Sequence, residues 1–373
     1  MNNGCADESL ALLSDAVREP WATSVLHQRL GANLWRVGRQ TEARDTLRAA
    51  MRKFPEDLKL LYELAEFAEG EEGLDLFLLL LRRAYGFDFG SVANEQHRAA
   101  RLDHSARDVV YLALMRSLTC SKLQLAQQLL DVFRRDLGVT SAYLACKYVY
   151  DKVSGSSGHE WLETGSTSPM IFDLDGVDLA RLLPADMVGN FDQQLREDLA
   201  AKVPWRRIYP GSEAETWRTD MRGLMNVQSR PIMAFQRLAA DCVAKYLKLR
   251  RREVADLLMG KKALVLKKCW ANRGTHFADL TSHIHEGVVS CVYYPELPPD
   301  LGDHDQDAGS IEFGRPNVPL PVEFKITVIR PRERRMLVFP AYAFHRIIEC
   351  KFDRPRTSIA MEFHGQAPAA AAS

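Results

Sequence analysis

The 373-residue chain has no surplus charge of either sign: 49 Lys and Arg are matched by 49 Asp and Glu. A protein that binds nucleic acid along its backbone needs excess cations to replace condensed counterions, so nucleic-acid partners are not expected. Long hydrophobic runs are also missing. The stretch Leu76–Leu81 is six residues between Asp75 and Arg82, whereas a membrane-crossing helix takes about 20. The first residues, Met-Asn-Asn-Gly-Cys-Ala-Asp-Glu, lack the basic start and apolar stretch of a secretory signal, which predicts a cytoplasmic chain with no membrane partner. The seven cysteines, at 5, 120, 146, 242, 269, 291 and 350, are odd in number and include no Cys-x-x-Cys pair. They are expected to be reduced and mostly buried as small apolar residues.

Proline is scarce in the first 150 residues. From Ser9 to Tyr150 only Pro20 and Pro55 interrupt a pattern of apolar residues at helical spacing. Leu30, Leu34 and Val37, then Ala43, Leu47, Ala50 and Phe54, predict two helices joined across Gly38-Arg39-Gln40 and ended by Pro55. Leu30-Gly31-x-x-Leu34, Gly38, Ala43-x-x-x-Leu47, Ala50 and Pro55 resemble one tetratricopeptide repeat, and a shift of about 34 residues finds a degenerate second copy at Leu64, Ala65, Ala68 and Phe77. Helical patterns at Val109–Leu118 and Leu123–Phe133 extend this to a short solenoid of hairpins, or to an ordinary all-α packing.

The composition then shifts. Residues 153–168 are rich in Gly, Ser and Thr without periodicity and predict a linker between an α-helical domain at 1–152 and a second domain at 169–373. In the second domain a first strand is predicted at Met170–Asp175, with helices over Ala185–Lys202 and Pro231–Leu258. Seven short β-branched or aromatic runs follow: Ala263–Trp270, Val288–Tyr294, Ser310–Phe313, Phe324–Ile329, Arg335–Phe339, Ala343–Glu349 and Thr357–Phe363. With no helices between them they predict a barrel or jelly roll. The fold class is therefore α+β and multidomain.

Six of the ten histidines (276, 283, 285, 304, 345 and 364) fall in this last region. His283-Ile-His285 enters a predicted strand, so both imidazoles share a face; alone, such a pair is more often a hydrogen-bonded structural feature than a metal site. His345 follows Leu337-Val-Phe-Pro and starts the next strand near a barrel mouth. Arg356 and Ser358 share a face on the last strand, where a guanidinium fork and a hydroxyl suit a carboxylate. An inward Arg would otherwise be an uncompensated buried charge.

Trp270-Ala-Asn272-x-Gly274, His283-x-His285-x(4)-Ser290-x-Val292-Tyr293-Tyr294, Gly309-Ser-Ile-Glu-Phe313, Phe339-Pro340-x(4)-His345 and Arg356-x-Ser358 together resemble the Fe(II)- and 2-oxoglutarate-dependent oxygenases of the double-stranded β-helix fold. Some members of the bacterial group concerned also carry tetratricopeptide repeats. The resemblance covers about residues 260–365. It implies a dioxygenase, most simply a hydroxylase, using Fe(II), 2-oxoglutarate and O2. By carry-over His283 and His345 would be iron ligands, Arg356 would hold the distal carboxylate of 2-oxoglutarate with help from Ser358, and Tyr294 and Asn272 are further candidates for the cosubstrate.

The departure is the third ligand, because family members usually have His-x-Asp or His-x-Glu. Three readings compete: His285 as third ligand, water in that place, or a shifted His285-Glu286-Gly287 register leaving a vacancy resembling the halogenating members. The implied substrate is a peptide, a protein or a small amino-acid-derived molecule, and helical repeats would offer a protein-binding surface. A cupin-type metalloenzyme and a non-catalytic repeat adaptor with a degenerate barrel are the competing functions.

Overall fold

The structure, a computed structural model, describes residues 3–87, 105–156, 160–174, 176–208, 215–277, 281–299, 301 and 307–366. The chain forms two compact units, Met1–Gly138 and Val139–Ser373. Among the described residues no helix is long and apolar enough to cross a membrane.

The first unit is helical. Helices α1 (Asn3–Ala16), α2 (Ser24–Arg36), α3 (Gln40–Lys53) and α4 (Leu58–Phe67) are followed by α5 (Gly70–Tyr85), α6 (Ala106–Thr119) and α7 (Leu123–Val132), each packed on the next. Their ends are written in the sequence. Asp57 accepts hydrogen bonds from the first amides of α4, and Ser105 and Asp108 form a capping box on α6. The predicted α2–α3 hairpin is present, and Gly31 is what lets it close. A Cβ at Gly31 would lie 2.8 Å from Leu47 Cδ2, so any side chain there would wedge the helices apart. Leu64, Ala65, Ala68 and Phe77, the positions found by the shift, are all buried.

The second unit opens with α8 (Ser141–Ser154) and α9 (Glu160–Thr167). Here the expected domain limits are corrected. The boundary falls at Gly138, where φ is +80°, and the stretch predicted as a linker is largely helix, with 157–159 outside the described residues. The small residues of α9 serve packing rather than flexibility. Leu162, Gly165, Ser166 and Thr167 are buried, and a Cβ at Gly165 would collide with the Tyr342 hydroxyl.

Next come β1 (Met170–Asp173), α10 (Gly176–Leu182), α11 (Phe191–Lys202), β2 (Trp205–Arg207), β3 (Thr216–Thr219), α12 (Arg230–Arg250) and α13 (Ala255–Leu258). Strands β4 (Ala263–Phe277), β5 (Val289–Glu296), β6 (Ile311–Phe313), β7 (Thr327–Ile329), β8 (Arg335–Pro340), β9 (His345–Ile347) and β10 (Cys350–Gln366) complete the unit. They form two antiparallel sheets, one ordered β1-β8-β5-β10-β4-β3-β2 and one ordered β7-β6-β9. Val292, Tyr294, Leu337 and Phe339 from the large sheet meet Ile311, Phe313 and Ile329 from the small one in a shared core, as in a jelly roll.

Helices cover the outer face of the large sheet. Phe235 of α12 packs on Tyr293, whose hydroxyl donates to Asp192 of α11 at 2.6 Å. With both faces covered, β5 is buried along nearly its whole length. It therefore reads as a continuous apolar run rather than an alternation.

Candidate functional site

His283, His285 and His345 converge on one point. The His-x-His segment is not part of a regular strand, as the sequence suggested. It is an extended stretch pinned to the β8–β9 turn by His283 N to His345 O, His345 N to His283 O and His285 N to Ala341 O, at 3.0, 3.0 and 2.8 Å. That pairing holds the alternation a strand would have given. The rings lie 4.5–5.2 Å apart, and one donor nitrogen from each falls within 4.8 Å of the others. Among the described residues this is the one cluster of metal-ligating groups.

The outward nitrogens decide what the inward ones can do. Each Nδ1 faces an acceptor: Thr281 O at 3.3 Å for His283, Ala343 O at 2.9 Å for His345, and a Glu362 carboxylate oxygen at 2.9 Å for His285. An imidazole donating from Nδ1 leaves an unprotonated Nε2. With both Nδ1 atoms donating, His285 Nε2 and His345 Nε2, 3.2 Å apart, present two lone pairs to one point, an arrangement that a bound cation would satisfy. Two nitrogens bound at right angles to one transition metal, at about 2.1 Å each, are about 3.0 Å apart. Burial, with His283 and His285 beside it, holds His345 well below the usual imidazole range. Partial loss of hydration, then the neighbouring His285, pushes His283 down to about 4, although its side chain is still open to solvent on one side. These two rings are neutral at neutral pH.

Glu362, 1% exposed, was not singled out from the sequence. Besides His285 it meets His364 Nε2 at 3.2 Å and Lys268 Nζ at 3.3 Å. Burial alone would raise its carboxyl; the hydrogen bonds from His285 and His364 and the charge of Lys268 overcome that and hold it far below the usual range. Arg356, Ser358, Ala360 and Glu362 line the cavity at alternate positions of β10, so the period that placed the first two predicts the fourth.

The cavity, about 590 Å³, lies between the two sheets. Arg356 projects into it at 1% exposure, stacked between Phe277 and Tyr294 with its guanidinium carbon 5.2 and 5.1 Å from the ring centroids. Its Nη1 donates to Ser358 Oγ at 3.4 Å, and among the described residues Nε has no partner. The Tyr294 hydroxyl faces this group without a hydrogen bond of normal geometry; burial raises its pKa and the Arg356 charge partly opposes the rise. A desolvated guanidinium without a carboxylate is a receptor for an anion. Asn272 also lines the cavity, opposite Ser358 in register. All seven residues singled out in the sequence therefore share one cavity.

The shifted His285-Glu286-Gly287 register loses support. Glu286 is 77% exposed and reaches Lys268 instead of the triad. Gly287 is not a vacancy beside the histidines but a close approach of backbone, since a Cβ there would lie 2.8 Å from Phe363 O.

The β2–β3 hairpin, absent from the predicted strands, forms one wall. Arg218 lines the cavity and pairs in register with Asn272 on one side and Arg206 on the other, so the two arginines share the cavity-side face. Among the described residues neither meets a carboxylate, and like charges directly opposite on a sheet are unfavourable. Short length and a polar, tryptophan-flanked sequence hid this hairpin from pattern reading.

Residues 268–362 match a family model described as "Putative 2OG-Fe(II) oxygenase". The matched stretch contains the three histidines, Arg356, Ser358 and Glu362, and the cofactors of the family so matched are Fe(II) and 2-oxoglutarate. No curated protein matches the chain. Similar solved structures include HygX from Streptomyces hygroscopicus with nickel and 2-oxoglutarate bound, at 14% identity and TM-score 0.35, covering 54% of this chain and 84% of that one. A Pseudomonas putida prolyl-4-hydroxylase is similar at 15% identity and TM-score 0.34, covering 55% and 96%. A Trichoplax adhaerens prolyl hydroxylase in complex with a hypoxia inducible factor peptide is similar at 15% identity and TM-score 0.35, covering 55% and 87%.

Proposed function

We propose that this protein is an Fe(II)- and 2-oxoglutarate-dependent dioxygenase that hydroxylates an unactivated C–H bond of a peptide, protein or amino-acid-derived substrate in the cytoplasm, releasing succinate and CO2. The observation that carries the reading is a buried, acid-free Arg356 in the same cavity as three imidazoles that each bring one ring nitrogen within 4.8 Å of the others. Iron and cosubstrate, when bound, supply the oxidative chemistry.

The residues' own work is positional. His283, His285 and His345 hold the metal through Nε2, each fixed by its Nδ1 acceptor. Arg356 and Ser358 take the distal carboxylate of 2-oxoglutarate, and the rings of Tyr294 and Phe277 exclude water around that ion pair. Asn272 and Tyr294 line the rest of the cosubstrate's path. At the mouth, Arg206 and Arg218 favour a substrate bearing negative charge on the side that meets the β2–β3 hairpin. The helical first unit, read as tetratricopeptide-like, is the surface for a protein partner or for the remainder of a peptide substrate.

The test is succinate formation that depends on added Fe(II) and 2-oxoglutarate. His345→Ala abolishes it and Arg356→Ala weakens it on this reading. Turnover unchanged by both substitutions would sink the site assignment.

A further inference from the structure

An iron held by these three imidazoles in their neutral form would have no negative charge among its protein ligands, whereas a His-x-Asp or His-x-Glu site has one. The question is where the compensating charge lies. Among the three rings, two donate their Nδ1–H hydrogen bonds to neutral backbone carbonyls, those of Thr281 and Ala343, and one donates to a carboxylate. That carboxylate, Glu362, is fully buried behind His285 on the side away from Nε2, and Trp270 packs against the same ring with centroids 5.7 Å apart.

We infer that Glu362 is the missing carboxylate of this metal centre, acting one imidazole removed. By accepting the Nδ1–H hydrogen bond of His285 it fixes the ring and tautomer and shifts electron density towards Nε2, so that His285 does the work of the carboxylate ligand. The inference rests on the metal-centre reading above. A carboxylate behind a metal-bound histidine raises ligand basicity, and removing it typically lowers metal affinity about 10- to 100-fold. Glu362 is a positioning residue in this scheme. Lys268 and His364 hold its second oxygen and keep the first turned to His285.

The experiment is equilibrium binding of Co(II) to the metal-free full-length protein, read by calorimetry and by the visible absorption of the bound ion, with no turnover required. His345→Ala and His285→Ala are expected to abolish tight binding. Glu362→Gln is expected to weaken it by about 10- to 100-fold and to shift the absorption bands, with far-UV circular dichroism unchanged. If Glu362 merely neutralised Lys268, the pair Glu362→Gln with Lys268→Met would regain wild-type affinity; on the present inference it stays weak. Should Glu362→Gln fail to fold, Glu362→Asp, which keeps the charge but shortens the reach, is expected to bind several-fold more weakly and is judged in the same way.

Affinity within twofold of wild type in the Glu362 variant overturns the inference while leaving the metal centre intact. So does recovery in the double variant. Tight binding by His285→Ala combined with loss in Glu362→Gln overturns it in favour of Glu362 as a direct ligand. Wild-type protein with no His345-dependent Co(II) binding removes the metal centre and the inference together.

Discussion

Arg356 is the residue that most constrains the function. Removing a guanidinium from water without a carboxylate costs several kcal/mol, and stacking on two aromatic faces returns only about 0.5–2 kcal/mol each. The empty-handed side chain is therefore a local liability that a bound dianion relieves. Arg356→Lys keeps the charge but loses the fork, so the KM for 2-oxoglutarate should rise about 10- to 100-fold while Co(II) affinity holds, as hydrogen bonds to charged groups contribute about 1.5–3 kcal/mol. Arg356→Met should go further in an informative direction: the ligand-free protein melts at the same or a higher temperature, and stabilisation by 2-oxoglutarate disappears. A fall in the ligand-free melting temperature would mean that Arg356 is structural. Arg356 and Ser358 were legible because a charged fork and a hydroxyl two apart on an apolar strand have few other uses. Glu362 obeys the same alternation but was not, because its partner His285 reaches it only through the fold.

Among the elements, β4 and β10 differ most from their apolar runs. The sequence predicted Ala263–Trp270 and Thr357–Phe363, and the strands extend to Phe277 and back to Cys350. The extension of β4 is polar because it pairs with β3 and faces the cavity, and that of β10 contains Pro355, which falls where the register slips between Lys351 and Arg356. Polar, proline-bearing strands lining a cavity do not carry the signature of a core strand. Gly274, by contrast, was legible as part of a motif, and its reason is steric. A Cβ there would lie 2.4 Å from Glu215 O and 3.0 Å from Thr216 Cα, both backbone, so β3 approaches β4 as closely as it does only over glycine. Gly274→Ala should push the β2–β3 hairpin outward and cost about 1–3 kcal/mol of stability, measured by chemical unfolding. The hairpin carries Arg218. Turnover of 2-oxoglutarate stimulated by acidic peptides should accordingly fall in Gly274→Ala and more sharply in Arg218→Glu, with the KM for 2-oxoglutarate unchanged. Equal stimulation by basic and acidic peptides in the wild type would remove the arginine pair from substrate selection.

At the scale of the whole molecule the two units were legible as a change of periodicity, from 3.6 to 2, although the boundary was not. Gly, Ser and Thr in α9 read as a linker because composition alone does not distinguish a flexible glycine from one buried under Tyr342. The same division of the chain gives a ligand test that separates the competing functions. Ligands that bind only the folded state stabilise it by about 2.7 kcal/mol at a hundred times their dissociation constant, roughly 5–10 °C for a unit the size of Val139–Ser373. Under anaerobic conditions Co(II) should give one upward step in melting temperature and 2-oxoglutarate a second. The second step should require both the metal and Arg356, because one end of the cosubstrate meets each. A cupin-type site would show the first step alone, and an adaptor with a degenerate barrel would show neither. Hydrogen exchange should assign the protection to β4, β10 and the 281–285 segment, the three stretches whose side chains meet around the cavity. Protection confined to α1–α7 would instead place ligand binding in the helical unit and dissociate the cavity from the function proposed for it.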